Sequence, residues 1–354
     1  MQFDIAIVGA GIAGNSAAYE LARKGYKVIV LEKKKEIGGK ICGGLVSKRV
    51  INLQKTDAIL NEIKGAYVHF PNGKEICIGG EKTHAYVIDR DKFVNEIAEK
   101  AMAEGAIYKL NFLVRKICQN KIYGKEEIKF EYLIGADGAK SNVAKLFNMG
   151  KISYINAIQG EGKKLEEDFV RVYLDNELFP NFFGWIIPAD EKARIGLGYQ
   201  SKKLKEKINI FARKIDRKID NCKAGLIPYG LRKFYRKNLA LIGDSAGQVK
   251  ATSGGGIYAS LLASKILAES FPDFKMYEKI FMEKFGKELK RHLLMRRIYR
   301  KLKNEDLNFI ANYIEENVEL INKYGDIDYQ WKVAKEFMKK NPKFLIALIW
   351  KILK

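Results

Sequence analysis

The chain opens on an almost wholly apolar run, Asp4–Val8, which Gly9 breaks off. GAGIAG follows at Gly9–Gly14, and Asn15–Lys24 then carries apolar residues at helical spacing up to Gly25. Lys27–Leu31 repeats the buried-strand pattern and ends at Glu32. This order predicts a βαβ unit, hence a parallel sheet with a right-handed crossover. The pattern then changes. Ala66–Thr83 alternates around Pro71-Asn72-Gly73, as short antiparallel strands do. Asp89–Glu104 has the spacing of an amphipathic helix closed by Gly105. Leu113–Ile117 and Lys121–Phe130 read as short strands. Tyr132–Ile134 reads as a buried one, leading into GADGAKSN and a helix from about Ser141.

From Ile152 to Tyr235 the pattern is strands with one basic helix, Lys202–Lys218. Leu239–Ile242 returns to the buried-strand type, followed by GDSAG and a long helix from about Gly256. Phe274–Lys354 is helical in pattern and very basic. These segments predict an α/β fold with an α+β insert. A Rossmann-like nucleotide-binding domain is expected over residues 1–150 and 236–285, with a small antiparallel insert near 50–85. An antiparallel-sheet domain is expected over 151–235 and a basic helical region over 286–354.

Composition narrows the class. With 354 residues and 47% hydrophobic content the chain is about two domains and no disordered tail. Lys+Arg 64 against Asp+Glu 42 leaves +22. No zinc-finger, basic-zipper or RNP-like pattern accompanies that charge and the lysines are spread, so no nucleic-acid partner is expected. A heat-adapted surface fits the composition, and an anionic membrane or an acidic protein partner stays open. Cys42, Cys77, Cys118 and Cys222 form no CxxC pair and there are three histidines, so no metal site is expected. Few cysteines and no leader-like start point to a reducing, cytoplasmic setting.

The glycines carry the chemistry. Gly9-x-Gly11-x-x-Gly14 lies between strand and helix, with Glu32 at the end of the second strand. Glycine permits the tight turn, the approach of backbone to a pyrophosphate and close helix packing, while the acid accepts ribose hydroxyls. That unit does not separate NAD from FAD. In NLALIGDSAGQVKATSGGGIYAS, Gly243-Asp244 follows a buried strand and Gly254–Gly256 open a helix. An acid there suits ribityl hydroxyls, and the helix N-terminus suits the flavin O2/N1 edge. Asp137 sits at a comparable strand-to-helix turn. Each such turn taken alone also reads as a helix N-cap.

GAGIAG, GADG and GDSAG in this order resemble the FAD-binding fold of p-hydroxybenzoate hydroxylase and its relatives. Within that group EKKKEIGGKICGGL (Glu32–Leu45), AYVIDRDKF (Ala85–Phe93), PNFFGWIIP (Pro180–Pro188) and ATSGGGI (Ala251–Ile257) resemble the geranylgeranyl reductases. The likeness covers roughly residues 1–290. The Gly43-Gly44-Leu45 stretch is shorter than the commoner forms of its loop, and the helical tail matches little. The resemblance implies FAD as cofactor, with contacts at Ala13, Glu32, Cys42, Gly43, Arg90, Val114, Asp244, Gly256 and Ile257, and with Gly44 and Gly255 in the same loops. For Arg90 an ion pair with Asp89 or Asp91 is the alternative.

Phe183 and Trp185 alternate along an apparent strand, which is equally one core face of a sheet; the resemblance places them over the flavin in an apolar tunnel. Cys42 is a buried small side chain, a partner for another thiol, or a group beside the flavin. His69, His84 and His292 fall in no motif. The implied activity is reduction of isolated C=C bonds in geranylgeranyl lipid precursors. Phe183 and Trp185 would stabilise positive charge, and Cys42 or an ordered water is the candidate proton donor. A monooxygenase using NAD(P)H and O₂ is the rival, and a non-catalytic flavin- or lipid-binding module the further alternative. The implied partners are an isoprenoid lipid and a reduced donor, either a ferredoxin-like carrier or NADPH; a monomer is expected. Lys284–Lys303 reads as a solvated basic helix and Phe344–Leu353 as a docked one, or the pair as a peripheral membrane anchor.

Overall fold

A computed structural model describes residues 2–199 and 203–342. The chain begins β1 (Gln2–Val8), α1 (Ile12–Ala22), β2 (Val28–Leu31), β3 (Leu45–Ser47), α2 (Lys48–Leu53) and β4 (Ile59–Ile63). It continues through β5 (Gly65–His69), β6 (Glu75–Gly79), β7 (Ala85–Ile88), α3 (Arg90–Ala103), β8 (Ile107–Lys109), β9 (Lys116–Cys118), β10 (Lys121–Tyr123), β11 (Glu127–Gly135) and α4 (Asn142–Leu146). The sheet region holds β12 (Ser153–Lys163), β13 (Phe169–Tyr173), β14 (Gly184–Ala189), β15 (Lys192–Tyr199), α5 (Leu204–Lys214) and β16 (Asp220–Tyr229). After β17 (Tyr235–Arg236) and β18 (Leu239–Leu241) come the helices α6 (Ile257–Ser270), α7 (Phe274–Phe281), α8 (Lys287–Tyr299), α9 (Asn304–Glu315), α10 (Val318–Tyr324) and α11 (Gln330–Lys340).

The predicted βαβ start is present. β1 pairs in parallel with β2 and with β11, β2 with β8 and β11 with β18, giving the order β18-β11-β1-β2-β8. Every residue of β2 is buried, which is why its sequence is a continuous apolar run rather than an alternating one. α1 packs against α3 and α6 through small residues: Ala13, Ala17 and Ala18 on α1, Ala259 and Ala263 on α6. Leu113–Ile117 is not a strand; pairing starts at Lys116 because Phe112 and Val114 turn into the core and leave the ladder. The basic helix is shorter than expected, Leu204–Lys214, and residues 200–202 lie outside the description.

The second sheet has seven strands in the order β16-β12-β15-β14-β13-β5-β6. The β5–β6 hairpin thus extends its edge through a parallel pairing with β13, instead of lying in a separate insert near residues 50–85. Only β3, β7 and β4 form a small sheet there. The pattern of Ala66–Thr83 announced the hairpin but carried nothing about its partner, because a parallel edge pairing is set by segments a hundred residues apart. One face of the large sheet buries Ile158, Ile186, Ile195 and Leu197 beneath α5 and Phe179. Rows of the other face run Trp185–Gly196–Gln159 and Ile187–Arg194–Glu161.

The tail is not a separate solvated helix. α7 continues through a π-turn into α8, whose Glu288, His292 and Arg296 are buried at i, i+4 and i+8. Segment 326–331 crosses back over the molecule. Lys250 Nζ meets Asp328 Oδ1 at 2.8 Å in a buried pair, and Arg49 forks onto Asp326 at 2.9 and 2.8 Å. Gln330 accepts from Thr252 at 3.0 Å, Trp331 N–H donates to Glu288 at 2.8 Å, and His292 Nδ1 lies 2.6 Å from Thr252 Oγ1. No described helix is long and apolar enough to cross a membrane, and Phe344–Leu353 lies outside the described residues.

Burial, reinforced by the nearby charge of Lys250, pushes the His292 imidazole down to about 4. Its neutral form is therefore the folded one, and in acid the unfolded chain binds the extra proton. Stability is expected to fall as pH drops from about 6.5 towards 4, by on the order of 2–3 kcal/mol. Denaturant titrations across that range check it; His292→Gln should flatten the acid limb, and an unchanged slope would refute the assignment.

Candidate functional site

The site begins with backbone geometry. Gly9 has φ +107°, and a Cβ there would strike the backbone of Ala136. At Gly14 a Cβ would collide with the Gly9 carbonyl, so α1 can approach its own turn only because this residue is glycine. Gly11 differs: nothing lies within 4 Å of where its Cβ would point. It is the N-cap of α1, has no side-chain cap, and the first turn holds no acid. Glu32 closes the loop, its two carboxylate oxygens accepting Ala10 N–H at 2.8 Å and Lys34 N–H at 3.0 Å.

A second helix start repeats this. Gly256 caps α6 with no side-chain hydrogen bond and no acid in the first turn. Gly243, at φ +65°, opens the short 3₁₀ turn Gly243–Ala246, and a Cβ there would meet Ala13 and Ser260. The Ser264 hydroxyl donates to Ala13 C=O at 2.9 Å and ties α6 to α1. Asp244 pairs with Lys40, and Gly255 lies against the Lys250 stem. Two helix N-termini without protein caps, an open glycine and two acids at strand ends fit a dinucleotide carrying phosphates at one end and a flavin at the other. Ile257 opens α6, and Val114 is buried in the parallel-sheet core, 7% exposed.

Two expected contacts look different at atomic distance. Asp137 accepts from Ser141 Oγ at 2.5 Å and from the N–H groups of Asn142 and Val143 at 2.6 and 3.1 Å. Its carboxylate is taken up at the start of α4, which is the capping alternative. Arg90 meets Asp91 at 3.5 Å, the ion-pair alternative, and also lines an open groove of about 510 Å³ with Lys40, Cys42 and Arg194.

The loop of Cys42 lies over the large sheet. Ile41 presses on Gly225, Gly43 faces Ile187, and Gly254 from the second motif faces Ile227. Gly44 has φ +71° and leaves the space that Arg194 fills. Arg194 donates to the carbonyls of Gly43 and Ile88, both at 3.0 Å, clamping the loop from below. Gln159 donates to Cys42 C=O at 3.1 Å and accepts from Trp185 Nε1 at 3.0 Å. Cys42 is a free thiol whose sulfur accepts Gly44 N–H at 3.4 Å.

Trp185 covers Gly196, and Phe182 covers Gly198. Phe183 precedes β14, stacks on Phe182 at 4.3 Å and meets Trp185 edge-on at 5.8 Å. Phe183 and Trp185 are half-buried, whereas Phe182 is fully buried, so the core-face alternative describes Phe182 best. Gln159, Arg194 and Arg296 had no motif to reveal them. Alternation on β12 and β15 with a lone polar residue among small ones was the available signal.

The Thi4 family model matches residues 1–114. An uncharacterized protein of Methanocaldococcus jannaschii is 32% identical, over 96% of this chain and 95% of its own. A protein named digeranylgeranylglycerophospholipid reductase 2, from Methanopyrus kandleri, is 28% identical over 98% of each chain. Among solved structures, a geranylgeranyl bacteriochlorophyll reductase-like protein from Thermoplasma acidophilum superposes with a TM-score of 0.85 at 23% identity, covering 99% of both chains. The fold is a flavin-binding one.

The two glycines separate packing from ligand. Gly14→Ala should cost the protein about 1–3 kcal/mol with or without flavin, because the methyl meets backbone. Gly11→Ala should leave thermal stability of the flavin-free protein within about 0.5 kcal/mol while lowering bound flavin. Melting curves and the flavin absorbance of the purified variants check both; equal destabilisation would remove the distinction.

Proposed function

This chain belongs to the geranylgeranyl reductase family, and we propose that it is an FAD-dependent reductase that saturates C=C bonds of geranylgeranyl chains in archaeal-type membrane-lipid precursors. FAD fits the residues described: Gly9, Gly11 and Gly14 with the start of α1 for the pyrophosphate, Glu32 for the ribose, Asp244 for the ribityl chain and the start of α6 for the flavin edge. When bound, FAD supplies hydride.

The observation that carries this reading is the hydrogen-bond chain from Trp185 through Gln159 to Cys42 C=O. It fixes an aromatic face beneath the loop that belongs to the cofactor motifs. An isolated alkene has no carbonyl to polarise it, so saturation develops positive charge on carbon, and the faces of Phe183 and Trp185 stabilise that charge. The same rings shed water from the prenyl chain. The Cys42 thiol is assigned the proton for the second carbon. Gly44 N–H, aimed at its sulfur, holds the side chain in place.

The electron donor is a ferredoxin-like carrier or NADPH. Only one GxGxxG motif stands in the sequence, which favours the small carrier without requiring it. Exposed Lys287, Lys290 and Arg297 flank exposed Leu294 along α8 and suit peripheral contact with an anionic membrane from the cytoplasmic side.

Dithionite-reduced protein mixed anaerobically with a geranylgeranyl lipid should reoxidise its flavin and give saturated product by mass spectrometry. NADPH-dependent oxygen uptake with hydroxylated product would establish the monooxygenase instead, and no response to either would leave a binding module. Trp185→Ala should lower turnover by about tenfold or more, each tenfold being about 1.4 kcal/mol. Unchanged turnover would remove Trp185 from the mechanism.

A further inference from the structure

Arg296 is a charged side chain in an unusual position. It is 3% exposed, and arginine at that depth is ordinarily paired with an acid. Among the described residues no carboxylate pairs with it. Nη1 donates to Ala251 C=O at 3.3 Å, whereas Nε and Nη2 are buried without hydrogen-bond partners. The guanidinium carbon lies 4.4 Å from the ring centre of Tyr229 and 5.7 Å from that of Phe182. Aromatic faces offset part of the lost hydration, and Nε and Nη2 stay without a hydrogen-bond partner of good geometry.

Its surroundings belong to the site. Ala251 begins the ATSGGGI stretch that ends at the start of α6, and Phe182 stacks on Phe183, the ring next to Trp185. Nε and Nη2 are adjacent donors of one planar fork, the arrangement that takes two oxygens of a phosphate or carboxylate at once. Burial pulls the guanidinium pKa down from its ordinary value, against a raising influence of Tyr229, so an anion there would be met by an undercompensated cation.

We propose that Arg296 is an oxyanion-binding residue beside the Phe182–Phe183 pair, taking the phosphate of an anionic prenyl-lipid substrate. The inference rests on the reductase reading for the lipid but not for the anion. In the described conformation Nε and Nη2 are closed off, so entry requires the Phe182–Phe183 pair or α8 to give way. The Phe182–Phe183 pair stands in the stretch just before β14, where Asn181 has φ +67°.

The test is binding without turnover, on the full chain with its flavin oxidised. Isothermal titration compares a prenyl phosphate monoester, the matching prenyl alcohol and inorganic phosphate. For the unmodified protein the phosphate monoester should bind at least tenfold more tightly than the alcohol. Arg296→Met should erase that preference while changing alcohol binding less than twofold; Arg296→Lys, which keeps charge but not the fork, should fall between. Inorganic phosphate bound alone, with no preference for the phosphorylated lipid, would place a free phosphate there instead and overturn the lipid assignment. Equal weakening of alcohol and phosphate by both variants would make Arg296 structural. A shifted flavin reduction potential in Arg296→Met, with lipid binding unchanged, would assign the charge to the cofactor and also overturn the proposal. Phosphate-selective binding without C=C reduction would sink the reductase reading and leave this site standing.

Discussion

The contact between Gly14 and the Gly9 carbonyl sets the geometry on which the other parts depend. Because no side chain intervenes, α1 starts within a short turn of β1, and its first turn has no side-chain cap. Ala13 then lies against Gly243 and accepts the Ser264 hydroxyl, which brings the start of α6 alongside. Two positive helix ends are thereby held in one place without a neutralising acid in either first turn. Gly14 serves this packing, whereas Gly11 has open space beside it and leaves the helix start uncovered.

The large antiparallel sheet supplies the other wall, and its composition explains how. Gly196, Gly198 and Gly225 remove side chains where Trp185, Phe182 and Ile41 must lie flat. Arg194 and Gln159 on that face both bond to the Cys42 loop. Aromatic rings and the Cys42 loop are thus positioned by one sheet. The second face of the sheet stays an ordinary apolar core beneath α5.

Charge took on a different meaning once positions were known. Much of the +22 is spread over exposed lysines, as a heat-adapted surface would have it. A small part is buried and specific: Lys250 against Asp328 and Arg296 against aromatic rings, with the neutral His292 beside Thr252. These tie the tail to residues 250–252, so α8 is packed into the molecule and is not an appendage.

The sequence by itself determined the parallel sheet, the Gly9–Gly14 turn, Glu32, Asp244 and the start of α6. All are local: a strand, a turn and a helix written within some twenty residues, whose spacing is dictated by backbone sterics. It favoured cofactor contacts for Asp137 and Arg90 over a helix cap and an ion pair, since an acid or a cation at a turn has the same local signature whichever partner it meets; the structure shows Asp137 at the start of α4 and Arg90 beside Asp91. Only the tertiary structure decided that Asp137 caps α4, that the β5–β6 hairpin joins the large sheet, and that Gln159 links Trp185 to Cys42. It alone turned three residues of a helix that read as solvated into buried ones. Those outcomes depend on contacts between segments far apart in the chain, where burial and hydrogen-bond partners are set by the packing of whole elements and leave no period in the sequence.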